Sequence, residues 1–324
     1  MNRLDHYIPK GGLTLLDQGK PVKNVPYAVE AYLSRFTKST RNTVQYVLSR
    51  IALDFGIETE SIHNVPWDRI KESHVIKLFE FWRNESALEA STQATNSYIL
   101  RGLLRTLAKY ELYPQNELNH ILELRVKTPP RGSSKGRSLS ATDIEHLIQS
   151  CLTDQRTVIG LRDSALLALL LGSGIRRAEV ARLTIKSIDL ASGTLNVMVK
   201  GGHRATRYIT GKAIPHLERW INYRLQQGKS QQLPLFSRIS KSGQVLDTAL
   251  TGRGVFYILE QRSIKANLPF YVRPHDCRRT LATELLSEHG ELVAQKVLGH
   301  ARLETTKIYD MRSDQHVRHI MSKM

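Results

Sequence analysis

The chain has 324 residues, 41% of them hydrophobic, and carries 47 Lys plus Arg against 30 Asp plus Glu, a formal net charge of +17. That length suits two domains with a core each, and the basic surplus points to a polyanionic partner, nucleic acid before membrane. The longest apolar run, 165–171, is too short to span a bilayer, no polybasic cluster flanks an amphipathic anchor, and no secretory pattern opens the chain, so a cytoplasmic protein with no membrane partner is expected. Cys151 and Cys277 provide neither a disulfide framework nor a CxxC metal pair.

Residues 1–24 are glycine-containing and weakly patterned, and read as a flexible N-terminal arm. Helical periodicity begins at Pro26, with Val29, Tyr32 and Leu33 recurring through 26–36. Ser39 precedes a longer helix, with Val44, Val47, Leu48 and Ile51 on one side and Lys38, Arg41 and Asn42 on the other. After a connector, 71–82 forms a third helix through Val75, Leu78, Phe79 and Trp82. A fourth runs over 91–110, with Ile99, Leu103, Leu104 and Leu107 as its stripe and Gln93, Asn96, Arg101, Arg105 and Lys109 as polar and basic groups. Residues 25–126 therefore read as a four-helix domain with basic outer faces. Lys38, Arg41, Arg101, Arg105 and Lys109 are its candidate DNA-binding residues, although a solvated surface would look similar.

Residues 127–138, KTPPRGSSKGRS, combine two prolines, two glycines, three serines and several cations, the composition of a flexible basic linker. Beyond it, 139–324 forms a second domain. Ser140 with Asp143 three residues on is a helix N-terminus. Residues 161–171 form a buried helix ending at GSG, and GIRRAEVARL opens another. Residues 194–199 and 205–209 read as strands joined at Gly201-Gly202, which puts Lys200 at a hairpin edge. Residues 215–225 and 255–266 read as helices, and 228–252 as loop-rich. A C-terminal helix over 313–324 carries Val317, Ile320 and Met321 on one side.

The densest chemistry lies between 275 and 309. His275 and Arg278, three apart, share a face at a helix start whose stripe continues through Leu281, Leu285 and Leu286 to Gly290. A second helix follows over 292–298, with Val293 and Val297 on one face; Gly299 closes it and presents His300, and a third segment carries Tyr309. No His/Cys/Asp/Glu cluster has metal-ligand spacing and no GxxxxGKS loop is present, so neither a metal nor a cofactor is expected. What remains is an anion-binding set, Arg176, Lys200, His275, Arg278 and His300, with one hydroxyl nucleophile, Tyr309.

Four motifs in order, G-I-R-R-A-E-V at 174–180, H-D-C-R-R-T at 275–280, L-G-H at 298–300 and T-T-K-I-Y at 305–309, resemble the tyrosine recombinases, the phage-integrase family. The resemblance covers about 138–318, and the N-terminal helices match the family's core-binding domain more loosely. It implies a mainly α fold: a four-helix, SAM-like core-binding domain, then a mixed α+β catalytic domain with a small antiparallel sheet. It implies a site-specific DNA recombinase of mobile-element integration or resolution type. Such an enzyme cleaves and rejoins double-stranded DNA through a 3'-phosphotyrosyl link and a Holliday junction, as a synaptic tetramer joined through the C-terminal helix. An accessory DNA-bending protein would be a further partner.

By the same resemblance, Arg176 and Arg278 hold the non-bridging phosphate oxygens, His300 adds a hydrogen bond, Tyr309 attacks, Lys200 protonates the leaving 5'-oxygen and His275 is the general base. Glu179 orients its neighbours. The bond energy stays in the adduct, so no ATP is needed. The chain departs from the family at Arg279, where histidine is frequent, and at Cys277, where leucine is usual. Arg177 beside Arg176 and Lys212 beyond Lys200 are competing assignments. Two rival readings are a type IB topoisomerase, which relaxes DNA without a particular site, and a non-catalytic basic DNA binder.

Overall fold

The computed structural model describes residues 21–126, 136–199 and 202–299. The candidate residues Lys200, His300 and Tyr309, most of the arm and linker, and the expected helix at 313–324 lie outside them. The chain divides into two compact units, one ending at residue 133 and the other starting at 134.

In the first unit, α1 (Val25–Leu33), α2 (Lys38–Asp54), α3 (Glu72–Asn84), α4 (Ala90–Lys109) and α5 (Gln115–Glu123) enclose one core. Their apolar stripes meet around Trp67, Trp82, Phe55, Leu48 and Leu33, all fully buried. Two of the polar groups carried into this core pair there: Trp82 Nε1 donates to Asp54 Oδ2 at 2.8 Å, and the Tyr32 hydroxyl to the Ile99 carbonyl at 3.1 Å. The helix expected to follow Ser39 starts at Lys38, with Thr37 extended at its N-cap. The fifth helix is short and follows Pro114 at its N-cap; its stripe is only Leu118 and Ile121, too little to register as a period.

The second unit is built on α7 (Thr157–Ser173), which is buried around nearly its whole circumference. Before it stands α6 (Ala141–Leu152), whose N-terminus is closed as the sequence predicts: the Asp143 amide donates to Ser140 Oγ at 3.1 Å and the Ser140 amide to Asp143 Oδ2 at 2.9 Å. One helical turn, α8 (Arg177–Val180), follows α7. Then β1 (Ile188–Asp189), β2 (Thr194–Met198) and β3 (Arg204–Tyr208) form an antiparallel sheet with Leu195 opposite Arg207 and Val197 opposite Ala205. After α9 (Ile214–Gln226), the segment expected to be loop-rich contains a second antiparallel pair, β4 (Ser237–Ile239) and β5 (Val245–Ala249). The turn between them is polar and glycine-containing and β5 buries only one end, so no alternation marked it. The chain continues through α10 (Gly252–Lys265), α11 (Pro274–Glu288) and α12 (Gly290–Leu298).

The expected face of the 292–298 helix is rotated by one position. Ala294 and Leu298 are the buried residues, Val293 is 43% exposed and Leu292 77%. A buried ion network ties α7 to α10: Arg262 donates from Nε to Asp163 Oδ2 at 2.8 Å and from Nη1 to the Ser150 carbonyl at 2.7 Å, and Nη1 lies 2.8 Å from Asp154 Oδ2. No helix among the described residues is long and apolar enough to cross a membrane. The result is a mainly α fold with small antiparallel sheets.

Candidate active site

The end of α7 places the first group. Gly174 takes a left-handed φ of +57° at the C-cap, and a Cβ there would lie 2.9 Å from Leu298 Cδ2 and 3.2 Å from Leu281 Cδ2. Both the conformation and the close approach of α11 and α12 demand glycine. Two residues on, Arg176 is extended and solvent-facing, while Glu179 is 6% exposed beneath it. The Arg176 amide donates to Glu179 Oε2 at 3.1 Å and its Nη1 to Oε1 at 3.1 Å, so one carboxylate fixes both the backbone and the guanidinium.

The second group stands at the start of α11, where Pro274 fits the first turn and Asp276 accepts the Arg273 amide at 2.8 Å. His275 is exposed there. Arg278, one turn on, is 2% exposed, and its guanidinium donates from Nη1 to the Gly174 carbonyl and from Nη2 to the Leu298 carbonyl at 2.9 Å. These carbonyls terminate α7 and α12, where helix dipoles favour a cation. Arg278 thus joins three helix ends, 104 residues of chain separating it from Gly174.

His275 feels both groups. Enough of its ring is covered that burial lowers its pKa first, and the cations Arg279, Arg278 and Arg176 lower it further against the opposing carboxylate of Asp276. Arg176, Glu179, His275 and Arg278 are therefore brought together.

The motifs do not single out Arg207, yet it belongs to the same neighbourhood. It occupies the core-facing register of β3, 5% exposed, with Glu179 and Arg176 as its charged neighbours. The one available sequence signal is a cation where strand alternation calls for an apolar residue. Lys212, the competitor of Lys200, is exposed in the turn before α9 and lines a groove of about 910 Å³ with Ile144, Leu171 and Leu281, whose lining includes neither Arg176 nor His275. Cys277 is fully buried and burial pushes its thiol pKa up, which fits a packing residue.

On the first unit, Lys38, Arg105 and Lys109 are exposed, and Arg41 is partly exposed in an ion pair with Glu30 at 2.8 Å. Arg101 is half-buried, donates from Nη2 to the Leu124 carbonyl and lies over the Phe79 ring at 5.8 Å. Gln93 and Asn96, expected among the outward polar groups, are buried as well. Gln93 Nε2 ties the Trp82 and Leu88 carbonyls at 2.8 and 2.9 Å.

The model of the phage integrase family matches residues 137–316. The tyrosine recombinase XerC of Escherichia coli O157:H7 is 30% identical over 247 residues, 76% of this chain and 78% of that protein. Among solved structures, the Tn1549 transposon integrase in complex with transposon right end DNA aligns with a TM-score of 0.65 at 17% identity, over 93% of this chain and 99% of that one. A lambda integrase dimer bound to a COC' core site aligns with a TM-score of 0.64 at 14% identity, over 89% and 96%. At these identities the structural likeness establishes the fold.

Proposed function

Because the chain belongs to the phage integrase family and is a tyrosine-type site-specific DNA recombinase, we propose that it exchanges strands between two double-stranded DNA sites through a 3'-phosphotyrosyl link and a Holliday junction, as a tetramer. The observation that carries this reading is the convergence of Arg176, Glu179, His275 and Arg278, from two segments about a hundred residues apart, on one cationic centre.

In the proposed step the Tyr309 oxygen bonds to the scissile phosphorus as the bond to the 5'-oxygen breaks. His275 takes the tyrosine proton and Lys200 donates one to the departing oxygen. Arg176 and Arg278, with His300, stabilise the charge that builds on the non-bridging oxygens. Glu179 supports this by fixing Arg176, and the carbonyls of Gly174 and Leu298 by fixing Arg278. Lys38, Arg101, Arg105 and Lys109 are the first-unit cations proposed to contact DNA, with Arg41 beside its Glu30 partner. Tetramer formation through the 313–324 segment, an accessory bending protein and a mobile-element role rest on the resemblance.

The test starts by footprinting the DNA that flanks the gene, which yields the site for a nicked suicide duplex. Incubation should trap a protein–DNA adduct whose peptide map places the linkage on Tyr309. An adduct on another residue, or relaxation of plasmids that lack the site, would refute the reading.

The pH dependence has a defined sign. A base must be neutral, and the neighbours of His275 hold its pKa below the ordinary imidazole value of about 6.5. The cleavage rate should be level at neutral pH and fall only as pH drops through an inflection below that value. The His275→Ala variant should lack the inflection. An inflection of the wild-type rate above about 7 contradicts the assignment.

A further inference from the structure

We infer that Arg207 is a positioning residue of the cleavage site: its guanidinium holds the Gly299 turn, which leads into His300, against β3. The inference rests on the proposed reading of His300 as a phosphate ligand.

The placement of Arg207 goes against the rule of its strand. Leu195 and Val197 of β2 face the core opposite Arg207 and Ala205, so the register assigns position 207 an apolar neighbourhood. A buried guanidinium is costly unless it is compensated. Here the compensation is thin: Nη1 donates to the Thr206 carbonyl at 3.3 Å, and Nε is buried with no hydrogen-bond partner. An interior built for stability alone would place a leucine or valine there.

What the side chain reaches explains its retention. Gly299 closes α12 in a left-handed conformation, φ +61°, and a Cβ on it would sit 2.3, 2.4 and 2.5 Å from three atoms of the Arg207 guanidinium. The planar group therefore lies directly against the glycine backbone, a contact that a Cβ at 299 would displace. Around it stand Glu179, which favours its charge, and Arg176, which opposes it. Arg207 thus connects the sheet, the carboxylate that orients Arg176 and the turn leaving α12.

The test uses the full chain and the suicide duplex above. Arg207→Met should bind the duplex with a Kd within about twofold of wild type, yet cleave about 10- to 100-fold more slowly in a single turnover, the size of effect expected when a reacting group is misplaced by about an ångström. Arg207→Lys should do no better, because an ammonium keeps the charge but cannot lie flat on Gly299. Combining Arg207→Met with His300→Ala should cleave no more slowly than His300→Ala alone. Wild-type cleavage by either Arg207 variant, or losses that multiply in the double variant, would overturn the inference and leave the reading of the site standing. Wild-type cleavage by His300→Ala would instead remove the reading of His300 and the inference with it. Should Arg207→Met fail to fold, Gly299→Ala presses on the same contact without deleting the buried charge; it should cleave slowly with unchanged affinity, and a wild-type rate would overturn the inference.

Discussion

Arg278→Ala is expected to lower the single-turnover cleavage rate on the order of 10²–10³-fold, the usual loss when one preorganised donor to a developing oxyanion is removed. DNA affinity should change by no more than a few-fold, because most binding energy comes from phosphate contacts spread over the duplex. The same substitution should destabilise the second unit. It withdraws the donor that serves the Gly174 and Leu298 carbonyls at the ends of α7 and α12. Each buried carbonyl left without a partner costs about 1–3 kcal/mol, so a drop in melting temperature should accompany the catalytic loss. Arg278→Lys separates the effects: the charge remains, but a single ammonium cannot reproduce the planar fork that meets both helix ends. Cleavage should stay low in the lysine variant, and melting should recover in part. A lysine variant that cleaves at the wild-type rate would show that charge alone suffices and would remove the bidentate role.

Arg262→Met should have the larger effect on stability, with little on DNA contacts. Arg262 is 1% exposed and lies between the carboxylates of Asp163 and Asp154, at 2.7 and 2.8 Å, while donating to the Ser150 carbonyl. Deleting one member of such a network leaves its partners charged and buried, a loss of roughly 3–5 kcal/mol. Denaturant titration should show it as a lower midpoint of the second unit's transition with the first unit's unchanged. The acid limb gives an independent readout. Burial would raise the pKa of Asp154, but Lys265, the Arg156 amide and Arg262 outweigh it and hold the carboxyl well below its ordinary value. A depressed carboxyl stabilises the fold above its unfolded pKa of about 3.9 and loses that contribution as pH falls toward the folded value. Wild-type stability should therefore decline below about pH 4, and the decline should be shallower in Arg262→Met. Equal acid sensitivity in the two proteins would exclude Arg262 as a holder of Asp154.

Much of this was legible in the sequence because its signals are local. The Ser140–Asp143 cap, the stripes of α2, α3 and α4, and the pairing of β2 with β3 each lie within a few residues of chain. The order of the four motifs carried the family in the same way. A residue's surroundings were not legible where its partners are distant in the chain. Arg101 fits a basic outer face by its helical position, but the Leu124 carbonyl and the Phe79 ring, brought in from other elements, half-bury it. Ala294 and Leu298 are the buried residues of α12, Val297 packs partly against them and Val293 is exposed, because α11, β3 and the end of α7 together decide which side is covered.

The sequence by itself determined the type of the longer elements, though not α5 or the β4–β5 pair, the family, and the identity of Arg176, His275 and Arg278 as candidates. Periodicity and motif order survive in one dimension, since a helix or a cap is built from neighbours in the chain. The tertiary structure decided what surrounds those residues: that Arg278 is buried against two helix ends, that Glu179 fixes Arg176, that Arg207 lies on Gly299, and that Arg262 neutralises two acids. The physical reason is that the cost of burying a charge is set by the groups folded around it, many of them a hundred residues away in the chain.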